Sequence, residues 1–184
     1  FREDSPLGPS SPYGLSKLAQ ETLGLRAAAD DHLAVIVTRS FNHVGPRQQP
    51  SFFTSSFARQ IAEAEAGRIE PEMTVGNLEA RRDLTDVRDT VRAYRALVGR
   101  GRPGEVYNVC SGQAYSVGDI LDRLLARSRV PIRVRRDAAL YRPNDTPLVA
   151  GSWRRLHDDT GWAPEIPIDR TLDDAQLNWL RQDL

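Results

Sequence analysis

Helix-period segments alternate with short β-rich runs along this chain, and that alternation limits the folds open to it more than any other feature. The stretch "YGLSKLAQETLGLRAAAD" sets apolar residues at Leu15, Leu18, Ala19, Leu23 and Ala27, with Pro12 just before it, and predicts a helix. "LAVIVTRSF" predicts a buried strand, "NHVGPRQQP" a loop, and "SFFTSSFARQIAEAEAG" a helix closed by Gly67. A strand at "MTVG" is followed by a polar loop, then by a helix over "DVRDTVRAYRALVGR" that Asp86 can cap. "EVYNVCS" predicts another buried strand, "SVGDILDRLLARSR" a helix capped by Ser116, and "IRVRR" a partly exposed strand. Two short helices are expected near 152–160 and 170–182. The pattern predicts an α/β protein with a parallel sheet, although the strands are few for a complete doubly wound sheet.

With 184 residues the chain fits one domain, and 25 basic residues balance 25 acidic ones. No global field then favours nucleic acid or an anionic membrane, so any anion site must be built from local arginines. The longest apolar run, "LAVIV", is too short to span a bilayer, and no signal peptide opens the sequence. A single cysteine, Cys110, excludes an internal disulfide and fits a reducing cytoplasm; it reads as a small buried hydrophobe. One cysteine and three scattered histidines also argue against a structural zinc site. The only methionine is Met73 and the chain opens at Phe1, which fits a piece of a longer chain as well as it fits processing.

The chemistry concentrates at "SSPYGLSK", where Tyr13 and Lys17 stand four apart on one helix face. A phenol, with a pKa near ~10, needs a neighbouring cation before it can exchange protons at neutral pH. Lys17 would supply that cation and bond a cofactor ribose, while Tyr13 gives a proton to a carbonyl oxygen as hydride reaches the carbon. Tyr-x-x-x-Lys alone arises by chance on many solvated helices. Ser-Pro-Tyr-Gly-x-Ser-Lys ahead of an amphipathic helix is far narrower. Such chemistry calls for a glycine-rich phosphate cradle, and "GRGRPG" is not one: it follows a helix and leads into a strand, and Pro103 lacks an amide.

"SPYGLSKLAQE", "RSFNHVGPRQ", "VGNLEARRDLTDVRD" and "RPNDTPLVAG", in that order from about Glu3 to the C-terminus, resemble the extended short-chain dehydrogenase/reductase superfamily. Within it they are most similar to the branch of GDP-6-deoxy-D-mannose reductases and GDP-mannose 4,6-dehydratases. The resemblance implies the C-terminal part of a Rossmann-like fold with a smaller substrate-binding subdomain interleaved. Residues 1–184 would form one domain fragment, with the glycine-rich half and a catalytic serine or threonine upstream. It also implies that Tyr13 and Lys17 are catalytic and touch NAD(P)H, with Phe41 and His43 bordering the nicotinamide. Asn42 would reach the sugar diphosphate, Val75 and Asn77 the guanine nucleotide, Arg82 and Arg142 the phosphates, and Asp145 the ribose. Arginine suits phosphate because its guanidinium fork matches the oxygens and keeps its charge.

The implied reaction is reduction of the C4 ketone of GDP-4-keto-6-deoxy-D-mannose to give GDP-D-rhamnose. The 4,6-dehydratase, a lyase with bound NADP, is the alternative. Its pattern reads Pro-Arg-Arg after the histidine loop, where this chain has Pro46-Arg47-Gln48. Related epimerases on other nucleotide sugars are a third reading, and a non-catalytic nucleotide-sugar-binding module is a more remote one. The resemblance further implies a homodimer through the helix that begins near Tyr13, with Leu18 and Leu25 as outer apolar positions.

Overall fold

The structure is a computed structural model that describes residues 1–141 and 146–181. Its helices are α1 (Pro12–Asp30), α2 (Phe53–Glu65), α3 (Val87–Arg100), α4 (Val117–Leu125), α5 (Arg154–Thr160) and α6 (Ile168–Arg181). Its strands are β1 (Val37–Ser40), β2 (Asn42–Val44), β3 (Glu72–Val75), β4 (Arg81–Asp86), β5 (Val106–Val109), β6 (Ala114–Ser116), β7 (Arg133–Arg136) and β8 (Leu148–Val149). Parallel pairs dominate: β1 with β5, β2 with β4, β3 with β7 and β8 with β4, while β6 runs antiparallel to β4.

Local chemistry sets the helix ends. Ser11 Oγ accepts the Gly14 amide at 3.0 Å and opens α1, with Pro12 at a position where its missing N–H costs nothing. Asp86 caps α3 through the Arg88 amide, and Ser116 with Asp119 forms a reciprocal capping box on α4. The chain leaves α2 through Gly67, whose positive φ of 68° suits glycine.

Two apolar cores form, one of which includes Leu84 of β4. Phe57 and Ile61 of α2, Met73 and Val75 of β3, Leu84 of β4, Ile120, Leu121 and Leu124 of α4, and Ile168 and Leu172 of α6 make one. Ala93 and Leu97 of α3, Tyr107 and Val109 of β5, Leu156 and Trp162 make the other. The tryptophans pack the C-terminal segment: Trp153 meets Trp162 edge-on at 6.2 Å, and Trp179 Nε1 donates to Ser55 Oγ at 3.1 Å.

Several elements differ from expectation. The strand expected from Leu33 starts only at Val37, because the Val35 amide turns back onto the Leu33 carbonyl at 2.9 Å. "NHV", expected as loop, is β2. The polar loop after "MTVG" contains β4, the central strand of its sheet, and β6 and β8 add strands of three and two residues. β4 escapes a sequence reading because "RRDLTD" carries four charges in six residues. Two of those charges, Asp83 and Asp86, are nevertheless buried and fully hydrogen-bonded. Among the described residues no helix is long and apolar enough to cross a membrane.

Candidate active site

Helix α1 runs back along β1. Gly24 lies against Val35 and Val37, and two strand residues further on Arg39 pairs with Glu21. That register carries Lys17, one helical turn of about 6 Å before Glu21, to the level of Phe41, about 6.6 Å beyond Arg39. Tyr13 stands one turn further along the same face of the helix. The antiparallel run of α1 along β1 thus directs its N-terminal turns, with Tyr13 and Lys17, toward the strand end that leads into Phe41. Tyr13 is 72% exposed, and no described residue bonds its hydroxyl. Lys17 Nζ donates to Gln20 Oε1 at 3.1 Å and lies 5.6 Å from the Tyr13 ring centroid. Both side chains present their donors to open solvent.

Phe41 leaves β1 with its amide still bonded to the Val109 carbonyl at 2.9 Å. Its ring rests on Gly151, where an added Cβ would fall 2.6 Å from the ring and 2.7 Å from Cys110 Sγ. Only glycine lets these segments approach so closely. Cys110 is buried, and burial first, then the Asp83 charge, pushes its thiol up to about 12, an inert hydrophobe rather than a nucleophile. Asn42 and His43 are exposed on β2. His43 Nδ1 lies 3.3 Å from the Phe41 carbonyl, and Gln48 Nε2 donates to the His43 carbonyl at 2.8 Å.

β4 carries the second cluster. Asn42 pairs with Leu84, so Arg82, two residues back, shares its face about 8 Å away. Arg82 Nη1 donates to the carbonyls of Arg81 and Thr146, each at 2.8 Å, which fixes its stem beside the segment entering β8. The exposed Arg81 donates to the Ala114 carbonyl. Neither arginine pairs with Asp83 or Asp86. Asp83 accepts the Ser111 amide and hydroxyl and the amides of Gly112 and Gly151, all between 2.7 and 3.0 Å. Asp86 is taken by Arg88 and Thr171.

Val75 and Asn77 lie apart from this cluster, on β3 and the turn after it. The Val75 side chain belongs to the core and its carbonyl accepts the Asp137 amide, while Asn77 Oδ1 accepts the Glu79 amide at 3.0 Å. The turn is seated on α4, with the Leu78 and Ala80 carbonyls accepting the Gly118 and Val117 amides. Arg142 and Asp145 lie outside the described residues.

A phenol and an ammonium at one strand end, with a guanidinium and an amide across the neighbouring strands, can hold a phosphorylated sugar and exchange one proton with it. The sequence profile of the family described as GDP-mannose 4,6 dehydratase matches residues 1–175. The chain belongs to that family.

Within and around the GDP-mannose 4,6 dehydratase family, a GDP-6-deoxy-D-mannose reductase from Pseudomonas aeruginosa is 40% identical over 171 residues, covering 93% of this chain and 56% of that protein. A GDP-mannose 4,6 dehydratase from Cricetulus griseus is 24% identical over 190 residues, or 93% and 50% of the two chains. The solved structure of RMD from Pseudomonas aeruginosa complexed with NADPH superposes with a TM-score of 0.93 at 38% identity, covering 98% of this chain and 60% of that one. The α/β architecture is therefore that of the extended short-chain dehydrogenases/reductases. This chain spans between 50% and 60% of the length of these relatives.

Glu21, Arg39, Asp83 and Gly151 are site-building residues that the sequence reading does not single out. Glu21 had a signal, since it continues the spacing of four from Tyr13 and Lys17. Gly151 had none, because its close approach to Phe41 is a contact across 110 residues of chain.

Proposed function

We propose that this chain supplies the proton-transfer and nucleotide-sugar groups of an NAD(P)H-dependent reductase that converts GDP-4-keto-6-deoxy-D-mannose to GDP-D-rhamnose. The observation that supports the reading is the register of α1 on β1, which points the exposed Tyr13 and Lys17 toward the strand end that leads into Phe41. The 40% identical reductase and the 0.93 TM-score to an NADPH complex support it.

The donor set fits the cofactor. Lys17 offers an exposed ammonium for ribose hydroxyls, and Phe41 offers an apolar ring at the strand end. When bound, NAD(P)H supplies hydride to C4 of the sugar. Tyr13 gives its hydroxyl proton to O4, so the ketone becomes an alcohol, and Lys17 stabilises the phenolate left behind. Arg82 and Asn42, together with Arg142, bind the diphosphate; Asn77 and the Val75 backbone meet the nucleotide, and Asp145 meets the ribose. Two copies would meet along α1, whose Leu15 and Leu23 are exposed while Leu18 and Leu25 are half-buried.

The dehydratase is the second reading, since the family carries that name. Gln48 favours the reductase: it stands where the dehydratase pattern has a second arginine, and its amide is spent on the His43 carbonyl. The full-length protein, given GDP-4-keto-6-deoxymannose and NADPH, is expected to consume the cofactor's near-ultraviolet absorbance. Conversion of GDP-mannose to a keto-sugar without net cofactor change, and no reduction, would make it the dehydratase.

A further inference from the structure

Helix α1 is 19 residues long, yet none of its residues is buried among the described ones. Within these residues its height on β1 is not fixed by a fully buried apolar face, although Leu18, Leu25, Ala27 and Ala28 are half-buried. Two contacts tie its middle turns to β1. Gly24 lets the helix settle on Val35 and Val37, which limits distance but not sliding. The other contact is directional. Arg39 Nε donates to Glu21 Oε2 at 2.9 Å and Nη2 to Oε1 at 2.6 Å, a two-pronged pair with side chains only 21% and 13% exposed. The third prong, Nη1, donates to the Glu3 carbonyl at 2.8 Å, and the Glu3 carboxylate accepts the Asn108 amide of β5 at 2.9 Å. One guanidinium thus ties together β1, α1 and the segment that leads into Tyr13.

We infer that the Glu21–Arg39 pair is the positioning element that sets how Tyr13 and Lys17 reach over the end of β1. Glu21 lies one turn from Lys17 and two from Tyr13 on the same side of the helix. A planar fork holding both carboxylate oxygens fixes rotation as well as distance, which a single-point ammonium cannot do. Loss of the pair removes the directional contact of α1 with β1, and a shift of about an ångström is enough to misalign a proton donor with its acceptor. The inference rests on the reductase reading, because it assigns the pair to the proton that Tyr13 transfers.

Single turnovers of the full-length protein separate positioning from folding. Enzyme in excess over GDP-4-keto-6-deoxymannose, mixed with NADPH, gives an amplitude that counts competent sites and a rate constant that reports the chemistry. Glu21→Gln and Arg39→Lys are each expected to lower the rate constant about 10- to 100-fold at undiminished amplitude. The double variant is expected to fall no further than the worse single one, since both act through one contact. A rate constant within about two-fold of the parent, whether or not the amplitude drops, overturns the inference and leaves the reductase reading standing. A parent protein that oxidises no NADPH with this substrate overturns the reading itself, and the inference with it.

Discussion

Asp83 is the residue on which the site's backbone converges. Its carboxylate is buried, and all four of its hydrogen bonds come from Ser111, Gly112 and Gly151, at the ends of two segments that hold Phe41 and Cys110. An anion solvated by backbone amides is stable only while every donor points inward. Asp83→Asn turns one acceptor into a donor that faces an N–H, so the expected loss is about 2–4 kcal/mol, read from the denaturant midpoint at constant slope. A loss below about 0.5 kcal/mol would show that these bonds contribute little. At this scale the sequence is legible only in part. Tyr13 and Lys17 announce themselves by spacing and context, whereas Asp83 looks like one more surface charge beside Arg81 and Arg82. Its meaning depends on Gly151, which lies 68 positions away.

At the scale of elements, helices are easier to read than strands. The caps at Ser116 and Asp86 are local side-chain-to-amide bonds, so the sequence places those helix starts where the structure has them. β2, β4, β6 and β8 are short or charged, and they exist because other segments complete them. Asp86 serves both kinds of element, ending β4 and capping α3. Burial pushes its carboxyl upward, but the bonds from Arg88 and Thr171 outweigh that and hold it below the ordinary carboxylate range. A depressed folded value means that the stabilisation is present above the unfolded value, near ~4, and is lost as pH falls through the folded one. Stability should therefore decline with acid below about pH 4, and Asp86→Asn should flatten that part of the curve while lowering stability at neutral pH. Denaturant midpoints measured from pH 7 down to about 2 test this; an unchanged acid slope in the variant would contradict it.

At the scale of the molecule, the two cores fix where the parts of the site stand. The core of α3, β5 and α5 carries Ile36 just before β1 and Val109 of its partner strand β5, and the core of α2, α4 and α6 carries Met73 and Val75 of β3 with Val134 of β7 packed against it. β4 gives Leu84 to one core, while the next residue back, Asp83, binds the Ser111–Gly112 and Gly151 segments. The alternation of helices and parallel strands is legible in the sequence because periodicity is local. Which strands pair is not, since every pairing joins residues far apart in the chain.

If Tyr13 supplies the proton in a ketone reduction, the full-length protein and its Tyr13→Phe variant must differ in rate. Both are supplied with GDP-4-keto-6-deoxymannose and NADPH, and cofactor oxidation is followed alongside cofactor binding. Removal of one hydroxyl is expected to lower the rate by about 100-fold or more while NADPH binding persists. Reduction at the parent rate by Tyr13→Phe would mean that another group supplies the proton.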